Sequence, residues 1–80
     1  MRILLFGRLQ DLAGWRERRL DRPASSLKEL RDRLAEGDPE LGRALDGVGV
    51  QVAVDKALVR GDVALQPDTE VAFLPPMSGG

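Results

Sequence analysis

Eighty residues, 42% of them hydrophobic and 31% charged, with a formal net charge of −1, describe one small folded domain rather than a disordered segment or two domains. The chain has no histidine and no cysteine, which excludes disulfides, thiolate nucleophiles, Ser-His-Asp and Cys-His hydrolases and nearly every zinc site. Acids and bases are interspersed without a basic stripe, so no nucleic-acid partner is expected. The apolar run at residues 3–6 is too short for a signal-peptide core or a membrane span, so a cytoplasmic protein with no membrane contact is expected.

Residues 2–6 (Arg-Ile-Leu-Leu-Phe) predict a first strand closed by Gly7. Leu9, Leu12 and Ala13 then recur at helical spacing before Gly14, which leaves a helical turn and a loop both open. Residues 15–21 are charged and lie between Gly14 and Pro23; an exposed edge strand is expected, its arginines discouraging edge-to-edge pairing. Ser26-Leu27-Lys28-Glu29 has the pattern of a capping box, the Ser26 hydroxyl serving the Glu29 amide and the Glu29 side chain reaching back. Leu27, Leu30 and Leu34 form one apolar stripe of an amphipathic helix that ends at Gly37. Asp38-Pro39 predicts a cap and first position of a short second helix bearing Leu41 and Leu45.

Past the Asp46-Gly47 turn, Val50, Val52 and Val54 alternate with Gln51, Ala53 and Asp55, as in a half-buried strand. Asp55-Lys56 turns the chain into a short strand, Ala57-Leu58-Val59, and Gly61-Asp62 ends it. A turn at residues 66–69 precedes the last strand, Glu70 to Leu74, which Pro75-Pro76 terminates because proline cannot donate to a ladder. Two hairpins separated by a helix predict an α+β fold of the β-grasp type: a mixed sheet covered on one face by a main helix, with the first and last strands parallel at its centre. The domain is expected over residues 1–74 and an extended tail over residues 75–80.

Alternation assigns Ile3, Leu5, Val71 and Phe73 to the helix side, because Arg2 and Glu70 mark the other face as solvated. Leu4, Phe6, Ala72 and Leu74 then fall on the uncovered face, with Phe6 and Leu74 at the end where the tail departs. Such a patch usually marks a partner surface; the alternatives are a merely apolar second face or a cover supplied by the loop around Leu9 and Leu12. The tail, Pro-Pro-Met-Ser-Gly-Gly, joins an extended spacer to two residues without a Cβ, slender enough for its carboxylate to enter a narrow site and be adenylated. A terminal Gly-Gly arises by chance in about one chain in 200, so the pair gains weight from the strand pattern and the Pro-Pro spacer.

Residues 71–80 (VAFLPPMSGG), with the hairpin segment at 53–59 (AVDKALV) and FGRLQDLAG at 6–14, resemble the small subunit of molybdopterin synthase, the MoaD family of ubiquitin-like sulfur carriers. The resemblance covers essentially the whole chain. It departs at Asp55, where the family commonly has Asn, and at Pro67-Asp68-Thr69-Glu70, where it commonly has Gly-Asp-Glu. The resemblance implies that Gly80 is adenylated by an E1-like adenylyltransferase using ATP and converted to a thiocarboxylate with sulfur from a donor protein. Gly79 keeps the tail slender. The tail then enters the large subunit, in a heterotetramer, and gives its sulfur to a cyclic pyranopterin precursor. Phe6, Leu58, Leu74, Pro75 and Pro76 are the implied partner contacts. No metal site and no permanently bound cofactor are expected, and the chain is not an enzyme by itself. A thiamine-pathway sulfur carrier, a ubiquitin-like protein modifier and a passive β-grasp module are the competing readings.

Overall fold

Ile3, Leu5, Val71 and Phe73, the side chains that alternation points at the helices, are each 1% exposed or less. They sit at the centre of a computed structural model that describes residues 1–76. Its elements in chain order are β1 (Arg2–Leu5), α1 (Arg8–Ala13), β2 (Glu17–Arg19), α2 (Leu27–Gly37), α3 (Pro39–Leu45), β3 (Gln51–Val54), β4 (Ala57–Val59) and β5 (Glu70–Leu74). The strands form one sheet in the order β2-β1-β5-β3-β4. β1 and β5 run parallel at its centre, while β1–β2, β3–β4 and β3–β5 are antiparallel. This is the expected β-grasp arrangement.

The helical layer is wider than one helix. Leu27, Leu30 and Leu34 of α2 are buried as the stripe predicts, and Leu41 and Leu45 of α3 and Leu9 of α1 join the same core. Each such side chain removed from water contributes about 1.5–3 kcal/mol of hydrophobic driving force. α3 lies close enough to α2 that a Cβ on Gly42 would overlap that of Ala35. Residues 9–13, open between loop and helix in the sequence, are helical and belong to α1. Gly7, at its N-cap, supplies no side-chain hydrogen bond, so burial of Leu9 rather than capping holds this short helix.

Both predicted caps form. The Ser26 hydroxyl accepts from the Glu29 amide at 3.1 Å and the Asp38 carboxylate from the Leu41 amide at 3.2 Å. The Glu29 carboxylate reaches one residue further back than a capping box places it and accepts from the Ser25 amide at 2.6 Å. Ser26 is meanwhile held in an isolated antiparallel bridge with Ala64, so the segment before α2 is laid against residues 63–65. Every residue of the edge strand β2 is exposed, as its charges predict. Arg2 pairs with Glu17 at 3.0 Å and Glu70 at 3.4 Å, and Arg18 lies 4.4 Å from the centre of the Trp15 ring.

The two departures from the family pattern meet in space. Asp55 and Lys56 both take positive φ, 48° and 72°, in the β3–β4 turn. The Asp55 carboxylate accepts from the Thr69 hydroxyl at 2.6 Å and from the Glu70 amide at 2.9 Å, tying the hairpin to the start of β5. Those bonds, Thr69's foremost and Glu70's second, hold the Asp55 carboxyl below its ordinary value of 3.8, against a small opposing effect of desolvation. The folded state therefore binds fewer protons than the unfolded chain near that value. The contribution is present above pH 3.8 and is lost as pH falls through the lowered folded value. Unfolding midpoints measured from neutral to acid pH are expected to fall less steeply in Thr69→Val than in the unmodified chain.

The tail root and the open sheet face

The functional side chains are gathered by strand register. Leu4 of β1 pairs with Ala72 of β5, Ala72 with Ala53 of β3, and Ala53 with Leu58 of β4. One row of apolar side chains therefore crosses the open face from β1 to β4. The next row toward the tail is Phe6, Leu74 and Gln51, since Leu74 pairs with Gln51 and the β1–β5 register, continued one residue past Leu5 and Phe73, sets Phe6 beside Leu74. At the other end of the sheet lie Arg2, Glu70 and Arg19. The open face is thus banded, charged where β5 begins and apolar where it ends.

Phe6 is 45% exposed and Leu58 64%, whereas Ala72 is only 8% exposed beneath its larger neighbours. The Phe6 amide donates to the Phe73 carbonyl at 3.2 Å, fixing the backbone at the rim. The sequence placed Phe6, Leu58 and Leu74 together as candidates, and the structure brings them onto one face. α1 packs on the helix side, with Leu9 in the core, so the loop-cover alternative does not hold.

Pro75 and Pro76 are half-buried at the root of the tail rather than freely projecting. A Cβ on Gly7 would stand 2.8 Å from Cγ of Pro75, and one on Gly49 would stand 2.7 Å from Cβ of Pro76. Both glycines take positive φ, 55° and 86°. The two turns therefore form a seat that only glycine can line at these contacts. The seat sets the direction in which the chain leaves β5. Residues 77–80, including the Gly79-Gly80 pair on which the sequence expectation centres, lie outside the described residues.

Gly49→Ala is expected to cost about 1–3 kcal/mol from backbone strain, plus the collision with Pro76. Gly14→Ala is the control: φ there is 83°, but nothing lies within 4 Å of the added Cβ. Urea unfolding is expected to show the larger loss for Gly49→Ala, the difference reporting contact with the tail root.

Sequence reasoning missed Gly7, Gly49 and Ala53. Ala53 was placed on the polar side of its strand, and only the β3–β5 register shows that this side continues the apolar band. Gly7 reads only as the close of the first strand and Gly49 carries no signal of its own, because what they touch lies 68 and 27 positions away. Among the described residues no group of three or more His, Cys, Asp and Glu is placed to hold a metal ion, and no helix is long and apolar enough to cross a membrane.

The sequence matches the ThiS family over residues 3–80. It is 29% identical over 80 residues to the molybdopterin synthase sulfur carrier subunit of Escherichia coli (strain K12), covering 100% of this chain and 99% of that one. Among solved structures, SAMP1 from Haloferax volcanii superposes with a TM-score of 0.80 at 28% identity, covering 99% of this chain and 97% of that chain. In the complex of subunits 1 and 2 of molybdopterin-converting factor from Helicobacter pylori 26695, the matched chain gives a TM-score of 0.69 at 25% identity, with 99% and 96% covered. The family match spans nearly the whole chain, and the chain belongs to the ThiS family.

Proposed function

We propose that this chain is the sulfur carrier subunit of a molybdopterin synthase, with the carboxylate of Gly80 as the group that carries sulfur. The observation that carries this reading is the apolar band ending at Phe6 and Leu74, beside the glycine seat from which the tail leaves. The end-to-end likeness to a curated molybdopterin synthase sulfur carrier supports it. The Helicobacter pylori complex supplies a precedent for a large-subunit partner.

In the proposed cycle, an E1-like adenylyltransferase binds ATP and the tail. A carboxylate oxygen of Gly80 attacks the α-phosphorus, and pyrophosphate leaves. Hydrosulfide, sulfur at the sulfide level released by a donor protein, attacks the acyl carbon of the resulting adenylate; the acyl–oxygen bond to AMP breaks, AMP leaves, and the terminus becomes a thiocarboxylate. The tail then enters the large subunit, where the sulfur bonds to a carbon of the pyranopterin precursor as a carbon–oxygen bond at that carbon breaks and its oxygen departs as water or phosphate oxygen. Water then adds to the acyl carbon of the resulting thioester, leaving the sulfur on the precursor and restoring the Gly80 carboxylate. Two deliveries complete a dithiolene. ATP is consumed by the activating enzyme and is not a resident group of this chain. Gly79 and Gly80 lack side chains that would obstruct a narrow site, and Phe6, Leu58, Leu74, Pro75 and Pro76 form the docking surface. The reading assigns proton transfer to the partners and delivery to this chain.

A second reading, a ubiquitin-like modifier, is favoured by the likeness to SAMP1 at 28% identity; the same tail would then form isopeptide bonds with lysines of other proteins. Intact mass after incubation with activating enzyme, ATP and a sulfur donor separates the two. The carrier reading expects a gain of about 16 Da, one oxygen replaced by sulfur. Unchanged mass, or conjugates on a denaturing gel in place of that gain, contradicts it.

A further inference from the structure

We infer that the groove between α1, the α3–β3 connection and the two prolines is a second docking surface for the large subunit, gripping the tail root from the helix side. This rests on the proposed carrier function. The groove has a volume of about 510 Å³, and Leu9, Leu12, Val48, Val50 and Pro76 supply its apolar wall, with Arg8 at its rim. Leu12 is 43% exposed and Val48 97%. Val48 stands between two glycines and packs on almost nothing, so its isopropyl group contributes almost no burial to this fold.

Tail length says what covers it. Residues 77–80 span at most about 14 Å fully extended. A partner that encloses the Gly80 carboxylate must therefore bring the mouth of its socket to within that distance of Pro76. The tail root has two flanks there, the band at Phe6 and Leu74 and the groove at Leu12 and Val48. A socket that surrounds the tail and excludes water meets both flanks. The groove is thus continuous with the proposed sheet-face interface, with the prolines as the ridge between them.

Charge specifies the occupant further. Arg8 is exposed and takes part in no ion pair among the described residues. The complementary element of the large subunit is an aliphatic side chain that fills the groove, flanked by a carboxylate facing Arg8. Filling an open apolar pocket beside an exposed guanidinium gives register as well as affinity, and register is what a transfer between two specific atoms requires.

The test is titration calorimetry of the full chain against the purified large subunit, with Val48→Glu, Leu12→Glu and, as a sheet-face control, Leu58→Asp. Val48→Glu and Leu12→Glu are expected to weaken binding by about tenfold or more, the effect of losing a buried apolar anchor. Thiocarboxylate loading is expected to stay as in the unmodified chain for both; the melting temperature is expected to stay unchanged for Val48→Glu, whose side chain is 97% exposed, and to fall slightly for Leu12→Glu, which is 43% exposed. Unchanged affinity in both groove variants, with Leu58→Asp weakened, overturns the second surface and leaves the carrier function standing. An unmodified chain that neither gains sulfur nor binds removes the functional reading itself. A loss of loading without loss of large-subunit affinity would assign the groove to the activating enzyme and overturn the proposal. A rise in affinity, as when the chain's own residues 77–80 occupied the groove, or a dimer of this chain abolished by Val48→Glu with subunit affinity unchanged, overturns it as well.

Discussion

Deletion of Gly80 is expected to lower sulfur loading by about a hundredfold or more while leaving the unfolding transition unchanged. The shortened chain still ends in a glycine carboxylate, so the loss comes from position rather than chemistry. Each residue contributes at most about 3.3–3.6 Å of reach. Pro76 is fixed at its root by contact with Gly49, so the tail cannot slide forward to compensate. Attack on a phosphorus requires reacting atoms within about 3–3.5 Å, and a misplacement of about 1 Å already costs on the order of a hundredfold. Intact mass over a loading time course measures the rate, and urea unfolding checks the fold. Loading at the full rate would mean that the seat does not set the tail's reach.

Phe73→Ala is expected to have the largest effect on stability, about 3–5 kcal/mol. Phe73 is 0% exposed, pairs with Leu5 on one side and Val52 on the other, and lends its carbonyl to the Phe6 amide. A domain of 80 residues has on the order of 4–12 kcal/mol in total, so this one truncation consumes a large share. The contrasting substitution is Leu58→Ala. At 64% exposure it removes little from the core and is expected to change stability by less than about 0.5 kcal/mol. Under the proposed function its cost is expected in large-subunit affinity, so the pair of variants separates what holds the fold from what would engage the partner.

Much of this architecture is legible before any coordinates. Ser26 and Asp38 announce helix starts because a capping side chain acts on amides two or three residues away. Ile3, Leu5, Val71 and Phe73 declare their face because Arg2 and Glu70 fix the parity of their strands. Centrality of β1 and β5 follows from their being the most apolar strands, and exposure of β2 from its charges.

What escapes the sequence depends on distance along the chain. α1 has the right spacing but no side-chain cap, and it exists because Leu9 finds a core contributed by α3. Leu58 joins the apolar band only through Ala53 and Ala72, across two strand pairings that no local pattern encodes. The opposition of Gly7 to Pro75 and of Gly49 to Pro76 requires the two turns to be brought to the end of β5. Nothing local in the sequence singles out Val48, whose exposure beside the tail root appears only in the structure. The Asp55–Thr69 hydrogen bond turns two separate departures from the family pattern into one compensated contact.

In the proposed function the domain is a mount: the glycine seat fixes where the chain leaves β5, and the apolar band lies beside that exit, where the large subunit would dock. The account is tested most directly by following the thiocarboxylated chain, by intact mass, on mixing with the large subunit and a cyclic pyranopterin precursor. It predicts a loss of about 16 Da, restoring the original mass, with dithiolene formed at one product for every two chains consumed. A thiocarboxylate that persists unchanged in that mixture, or that disappears only into lysine conjugates, would contradict it.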